Sequence, residues 1–386
     1  MTISMQSNFI DSKLPNTELS IFSQMSALAQ QHNAINLSQG FPNYPTDPEL
    51  IDLVSYYMRA GANQYAPMAG VAPLLHGLAR KMEDLYGVGV DAENEITITS
   101  GGTQAIFTTI AATIRPQDEV IIFEPAYDCY SPTVELFGGK VIPVRLEAPD
   151  FKIDWEELRS KLSSRTRLII LNNPNNPSTK ILERQDLEEL ENLVHESAIM
   201  ILSDEVYEHL IFDEKKHHSV LMFPGLRERS FVVASFGKLL HTTGWKLGYV
   251  VAPAVLSKEF RKVHQFNVFS ANTPMQLAIA DYLKREHYLQ LPDFFQKKRD
   301  FLTAGLERSR FKVLPSEGTY FLLIDYSQVS SLSELDFSRQ LTVEHGLASI
   351  PVSAFYSNQL EQKLLRLCFA KDQPTLTAAI DLLKKV

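Results

Sequence analysis

Short, near-continuous apolar runs recur along this chain, and each ends in a polar or glycine-rich turn. Ile96 to Thr99 leads into Ser100-Gly101-Gly102-Thr103, and Val120 to Phe123 leads into Glu124-Pro125-Ala126-Tyr127. Leu168 to Leu171 leads into Asn172-Asn173-Pro174-Asn175-Asn176-Pro177, and Ile199 to Leu202 into Ser203-Asp204-Glu205-Val206-Tyr207. Phe231 to Ala234 leads into Ser235-Phe236-Gly237-Lys238. A strand that is apolar throughout must be covered on both faces. Between the third and fourth runs, Leu187, Leu190 and Val194 recur at helical spacing with glutamates opposite, which predicts an amphipathic crossover helix. The predicted fold is therefore α/β, a mostly parallel sheet with helices on both faces. Ligands of such sheets bind beyond the carboxyl ends of the strands, where all these turns lie, so their polar residues are expected to line one cleft.

Past about residue 290 the pattern changes. Thr319 to Ile324 and Leu364 to Phe369 read as strands, with helical stretches between and after them, which predicts a smaller α+β domain. The expected division is an N-terminal arm with part of the small domain over 1–49, a large ligand-binding domain over 50–289 and the C-terminal small domain over 290–386.

Bulk properties narrow the partners. The chain has 386 residues, 45% of them apolar, enough for a large core. A net charge of -9 argues against nucleic acid or an anionic membrane as main partner but allows a local basic site for a small anion. Cys129 and Cys368 stand in apolar or aromatic surroundings and read as buried free thiols. Met1 to Ile10 lacks a basic start followed by an apolar stretch, so no secretory signal is expected, and no apolar run approaches membrane-spanning length. A cytoplasmic protein is the expectation.

Lys238 stands out because a hydrated ammonium resists burial at the end of an apolar strand. One explanation is that it is consumed chemically, as a Schiff base with a carbonyl cofactor, of which pyridoxal phosphate is the commonest. That cofactor needs an anion seat. Gly101 and Gly102 let the backbone approach an anion, and the helix expected to open at Gln104 offers free N–H groups. On those residues alone a plain strand-to-helix turn is the simpler explanation; Ser235, Lys238 and Lys246 at another strand end favour the seat. A carboxylate must face the ring nitrogen, and Asp204 could do so, although a helix cap is its alternative. An ionised aspartate there would need a charged partner. Asn176, held between prolines, and Tyr207 could donate to the ring oxygen, and Tyr127 could stack on the ring; an Asx/Pro turn and a core aromatic are the bland alternatives. Arg366, inside Leu364 to Phe369, is costly unless it meets an anion such as a carboxylate, or unless that strand face is open to solvent. His209, His241 and His264 receive no role, and no metal is invoked.

Taken together, these motifs resemble, in order and from about Leu37 to Lys371, the class I (fold-type I) pyridoxal-phosphate aminotransferases. The resemblance implies a cofactor-binding transferase-like large domain and pyridoxal 5′-phosphate as cofactor. It implies that Lys238 is the Schiff-base lysine and Asp204 the partner of the pyridinium nitrogen. Asn176 and Tyr207 match the donors to the phenolic oxygen, and Tyr127 the stacking residue. Gly102, Thr103, Ser235 and Lys246 fall at phosphate contacts. Arg366 matches the arginine that holds the substrate α-carboxylate, assisted by Asn176 and by the backbone at Gly40 in Ser38-Gln39-Gly40-Phe41-Pro42. Tyr65 resembles a tyrosine that reaches the phosphate of a neighbouring subunit, which implies a homodimer. The expected reaction is ping-pong transamination between an amino acid and a 2-oxo acid, with Lys238 moving the proton.

Ser38 to Pro42, Asp128-Cys129-Tyr130, Ile350 to Ser353 and Cys368 to Lys371 resemble the branch of bacterial methionine aminotransferases and kynurenine/glutamine transaminases. This implies methionine or aromatic donors. Leu239 replaces a frequent hydroxyl residue, Ser178-Thr179 a frequent small-residue-plus-glycine ending, and Ser270 a histidine common in kynurenine transaminases. A cysteine-conjugate C–S β-lyase on the same fold is the alternative reaction. A non-enzymatic regulator would call for an appended DNA-binding module and a basic face, and neither is read here.

Overall fold

The computed structural model describes residues 11–386; the reading of Met1 to Ile10 as free of a secretory signal lies outside the described residues. The large sheet contains β1 (Ile96–Thr99), β2 (Glu119–Glu124), β3 (Lys140–Arg145), β4 (Thr166–Asn172), β5 (Met200–Asp204), β6 (Ser230–Ser235) and β7 (Gly248–Val251). Its 7 strands run in the order β1-β7-β6-β5-β4-β2-β3. β7 is antiparallel to both neighbours, and every other pairing is parallel. Each apolar run that predicted a strand forms one.

Alternation along these strands builds a core on each face. Ile121, Ile169, Ile201 and Val232 point to one side, where Leu187, Leu190 and Val194 of the crossover helix α2 (Arg184–Val194) cover them. Val120, Leu168, Leu202 and Phe231 point to the other, under Ala105, Ile106 and Ile110 of α1 (Gly102–Thr113). Each such side chain contributes roughly 1.5–3 kcal/mol on burial, so a charge at Ile201 or Leu202 would open the sheet.

β3 and β7 are strands that the apolar pattern does not reveal. β3 lies at the sheet edge, with Lys140 and Arg145 exposed and Pro143 within it, a residue that only an edge tolerates. β7 follows Lys246 too closely to read as a separate run.

A second, 4-stranded antiparallel sheet joins β8 (Lys312–Val313), β9 (Phe321–Asp325), β10 (Ile350–Pro351) and β11 (Leu364–Cys368) in the order β10-β11-β9-β8. The N-terminal stretch reaches it: Ile35 and Asn36 pair in parallel with Leu347 and Ala348, and the Cys368 amide donates to the Leu37 carbonyl at 2.8 Å.

A buried polar knot ties the turn after β5 to its surroundings. Lys81 Nζ donates to Glu208 Oε1 at 2.7 Å, Tyr249 donates to the same oxygen at 3.0 Å, and Tyr86 donates to the other. Burial pushes the Glu208 carboxyl up, but Lys81 overrides it and holds the group well below the usual range. Cys129 and Cys368 are free thiols. Among the described residues no helix is long and apolar enough to cross a membrane.

Candidate active site

The carboxyl ends of β1, β4, β5 and β6 open into a cavity of about 430 Å³. Gly40, Gly101, Gly102, Thr103, Tyr127, Asn176, Asp204, Tyr207, Ser235, Lys238, Lys246 and Arg366 all line it. Tyr65 does not. It is 82% exposed and stands edge-on to Phe269, at a centroid distance of 5.3 Å.

One end of the cavity is an anion seat. α1 starts at Gly102 with no side-chain cap, and Gly101 before it has a left-handed φ of 88°. A side chain on Gly101 would come within 3.6 Å of Lys246 Nζ, so that amine leans across the helix start. A Cβ on Gly248 would lie 2.6 Å from the Ala234 carbonyl and 3.1 Å from the Gly102 nitrogen. Glycine at that point lets β6 and the helix start close together. The positive end of the helix and the Lys246 ammonium then act on one small volume.

Asp204 is 4% exposed at the end of β5. Its Oδ2 accepts a 2.6 Å hydrogen bond from Tyr130, and its Oδ1 a 3.3 Å bond from the Val206 amide. Among the described residues no cation reaches ion-pair distance of Asp204, and the phenol of Tyr130 is the side-chain donor it meets. Burial pushes the Asp204 carboxyl up to about 6, against the hydrogen bond from Tyr130. Asn172 braces the turn by donating to the Asp204 carbonyl at 3.0 Å and accepting from the Asn176 amide at 2.7 Å.

Lys238 stands on the short helix Phe236–Leu239, one turn past β6. Its Nζ donates to the Tyr320 hydroxyl at 2.9 Å and to the Gly40 carbonyl at 3.4 Å. The Tyr320 hydroxyl itself donates to that carbonyl. The rings of Tyr207 and Tyr320 lie 5.5 and 5.4 Å from the amine. Loss of hydration pulls the amine down to about 8, so a sizeable neutral fraction exists near neutral pH.

Arg366 is 1% exposed, which excludes the solvent-facing alternative. Its guanidinium donates to Asn176 Oδ1 at 2.6 Å and to the Ser38 carbonyl at 2.8 Å, and lies 3.8 Å from the Phe321 ring centroid. Nε has no partner, and no carboxylate reaches it among the described residues. Burial pulls its pKa down to about 10. A buried cation with an open donor is a seat for an anion. Tyr127 stands edge-on to Tyr130 at 5.8 Å and Tyr207 edge-on to Tyr320 at 5.2 Å.

Sequence reasoning missed Tyr130, Tyr320 and Phe321 as parts of the site. Tyr130 lay in a segment noticed only for its subgroup likeness, and Tyr320 and Phe321 read as ordinary strand residues. These neighbours fit pyridoxal 5′-phosphate: an uncapped helix start beside an ammonium, a partly neutral amine in mid-cavity, and a buried acid without a cationic partner.

Comparison with known proteins agrees. A family model described as aminotransferase class I and II matches residues 32–383. The chain is 52% identical over 377 residues to the methionine aminotransferase of Escherichia coli strain K12, covering 97% of this chain and 98% of that protein. It is 33% identical to human kynurenine–oxoglutarate transaminase 1, covering 93% of each. A crystal structure of an E. coli protein reported to have a methionine aminotransferase function superposes with a TM-score of 0.96 at 51% identity, covering 98% of this chain and 99% of that one. The N-succinyldiaminopimelate aminotransferase of Mycobacterium tuberculosis superposes with a TM-score of 0.93 at 34% identity, covering 97% and 99%.

Proposed function

The chain belongs to the class I and II aminotransferases, and on that footing we propose that its amino donor is L-methionine or an aromatic amino acid. It is a pyridoxal-phosphate-dependent aminotransferase of the fold-type I group, which moves an amino group from an amino acid to a 2-oxo acid. The donor rests on the similarity to the E. coli methionine enzyme and on the apolar lining by Phe22, Ile106, Tyr127 and Phe321.

The proposed roles follow the chemistry of each position. Gly101, Gly102, Thr103, Ser235 and Lys246 hold the cofactor phosphate. Asp204 holds a proton at the ring nitrogen, Asn176 and Tyr207 donate to the ring oxygen, and Tyr127 stacks. The bound cofactor supplies the aldehyde carbon that carries the amino group and a ring that withdraws electrons from the substrate. Lys238 would take the proton from the substrate Cα and deliver it to the cofactor's aldehyde carbon on the far side of the shared nitrogen, which its lowered pKa favours near neutral pH. Arg366, Asn176 and the Gly40 backbone hold the α-carboxylate. The observation that carries this reading is Arg366, a buried cation without a counter-ion among the described residues, in the same cavity as the Lys238 amine.

Tyr65 is proposed to enter the site of a second subunit in a homodimer. Tyr56, Met58, Tyr65, Phe266 and Phe269 are all exposed here, which suits such an interface. The division into an arm with part of the small domain (1–49), a cofactor domain (50–289) and a C-terminal domain (290–386) belongs to the same proposal, as does a cytoplasmic location. A kynurenine or glutamine transaminase is a second reading, motivated by the human relative. Against a kynurenine preference, Ser270 turns its hydroxyl to the Ala66 carbonyl at 3.0 Å.

Half-reactions with a panel of amino acids, then of 2-oxo acids, followed by the cofactor spectrum, test the donor. Methionine should lead, with phenylalanine or tyrosine near it. A clear preference for kynurenine or glutamine would replace the proposal. Release of pyruvate and ammonia from cysteine conjugates without an acceptor would favour the β-lyase.

A further inference from the structure

The amine of Lys238 meets an arrangement that its proposed chemistry does not by itself demand. Tyr320 is 1% exposed, and its hydroxyl proton is committed to the Gly40 carbonyl. Its oxygen is therefore left as an acceptor, and Lys238 Nζ donates to it at 2.9 Å. A second acceptor, the Gly40 carbonyl itself, lies 3.4 Å from Nζ. A neutral amine has two protons and one lone pair. With both protons directed to the same side, the lone pair points away from Tyr320.

The backbone at Gly40 is shaped for this contact. A Cβ there would stand 2.7 Å from Phe321 Cζ and 3.4 Å from Tyr320 Cε2, so only glycine brings its carbonyl over the phenol. The same segment is pinned one step away, where the Ser38 carbonyl accepts from Arg366 at 2.8 Å. Burial raises Tyr320 well above the usual phenol range, which keeps its single proton in place.

We propose that Tyr320 is a positioning residue for Lys238: with the Gly40 carbonyl it holds the free amine so that the lone pair faces the cavity. The proposal rests on the aminotransferase reading of Lys238. Capture of the cofactor joins Nζ to the aldehyde carbon, and the aldehyde oxygen leaves as water with the two amine protons. An amine already oriented should reach that bond faster, and the same orientation serves proton transfer at the substrate Cα.

The test uses cofactor-free Tyr320→Phe and unaltered protein. Stopped-flow absorbance after mixing with pyridoxal 5′-phosphate gives the rate of covalent capture, and pyridoxine 5′-phosphate, which lacks the aldehyde, reports on binding alone. Loss of one such hydrogen bond should slow capture about tenfold, with analogue affinity held within about twofold. In turnover, kcat should fall while the KM for methionine stays nearly constant. Unchanged capture would overturn the proposal. So would a parallel loss of capture and analogue affinity, because Tyr320 would then be supporting the cavity wall. If unaltered protein never captured the aldehyde, the aminotransferase reading would fall, and the role of Tyr320 with it.

Discussion

Tyr130 donates a 2.6 Å hydrogen bond to Oδ2 of Asp204, a carboxyl that no cation among the described residues approaches to ion-pair distance. The bond favours the charged form of a carboxyl that burial has already pushed up to about 6. Tyr130→Phe should raise Asp204 further and weaken the acid's hold on the cofactor ring by about tenfold, the effect of one lost hydrogen bond to a charged group. Cofactor dissociation constants across a pH series measure this; equal affinity in both proteins would assign Tyr130 to packing alone.

The same carboxyl predicts how stability varies with pH. Its folded-state pKa lies above the usual value of 3.8, so its contribution is fully present below that value and is lost as pH rises through about 6. The difference corresponds to about 3 kcal/mol. Cofactor-free protein should therefore lose stability between about pH 4 and 7, and Asp204→Asn should flatten that part of the curve. Denaturant melts at several pH values provide the check.

Arg366 has no counter-ion among the described residues, so its burial costs stability and is retained for what it binds. Arg366→Met should leave the melting temperature of the cofactor-free protein unchanged or raised. It should also lower kcat/KM for methionine by about a hundredfold or more, since a desolvated charge pair with the α-carboxylate is lost. A large drop in melting temperature with normal kinetics would reverse the assignment.

Gly248 faces backbone atoms of Ala234, Gly101 and Gly102. Gly248→Ala should force β6 and the start of α1 apart and weaken phosphate binding by roughly tenfold, because the seat depends on convergence of donors. Titration with inorganic phosphate, or with pyridoxine 5′-phosphate, reads this directly.

Lys81→Met would strand the Glu208 carboxylate, since the two pair at 2.7 Å with little solvent around them. Breaking one side of such a pair costs about 3–5 kcal/mol. Lys81→Met combined with Glu208→Gln should recover part of that loss in chemical denaturation. If the single and double variants unfold alike, the pair is not what fixes this turn.

The strands that end at the cavity were legible because burial on both faces demands unbroken apolar runs, and the turns after them had nowhere to go but the cleft. β3 escaped because an edge strand can carry Lys140, Pro143 and Arg145 without cost. Lys238, Asp204 and Arg366 were readable because charged groups in apolar strands require a reason. Tyr320 and Tyr130 were not, since a tyrosine near a strand is unremarkable until its hydroxyl is seen to meet Lys238 or Asp204. Tyr65 marks another limit: its expected partner belongs to a second subunit, and in a single chain it faces water.

The pinning of Ser38 to Arg366 and of Leu37 to Cys368 also bears on how the protein is made. Ser38 and Arg366, which this bond joins, are 328 positions apart in sequence. During synthesis the N-terminal stretch must wait through some 328 residues before β11 emerges to meet it. The sheet that carries Lys238 can form earlier, and so can the phosphate seat. A growing chain can thus gather Asp204, Lys238 and Lys246 around the cleft first, and Arg366 joins them only after β11 has been made.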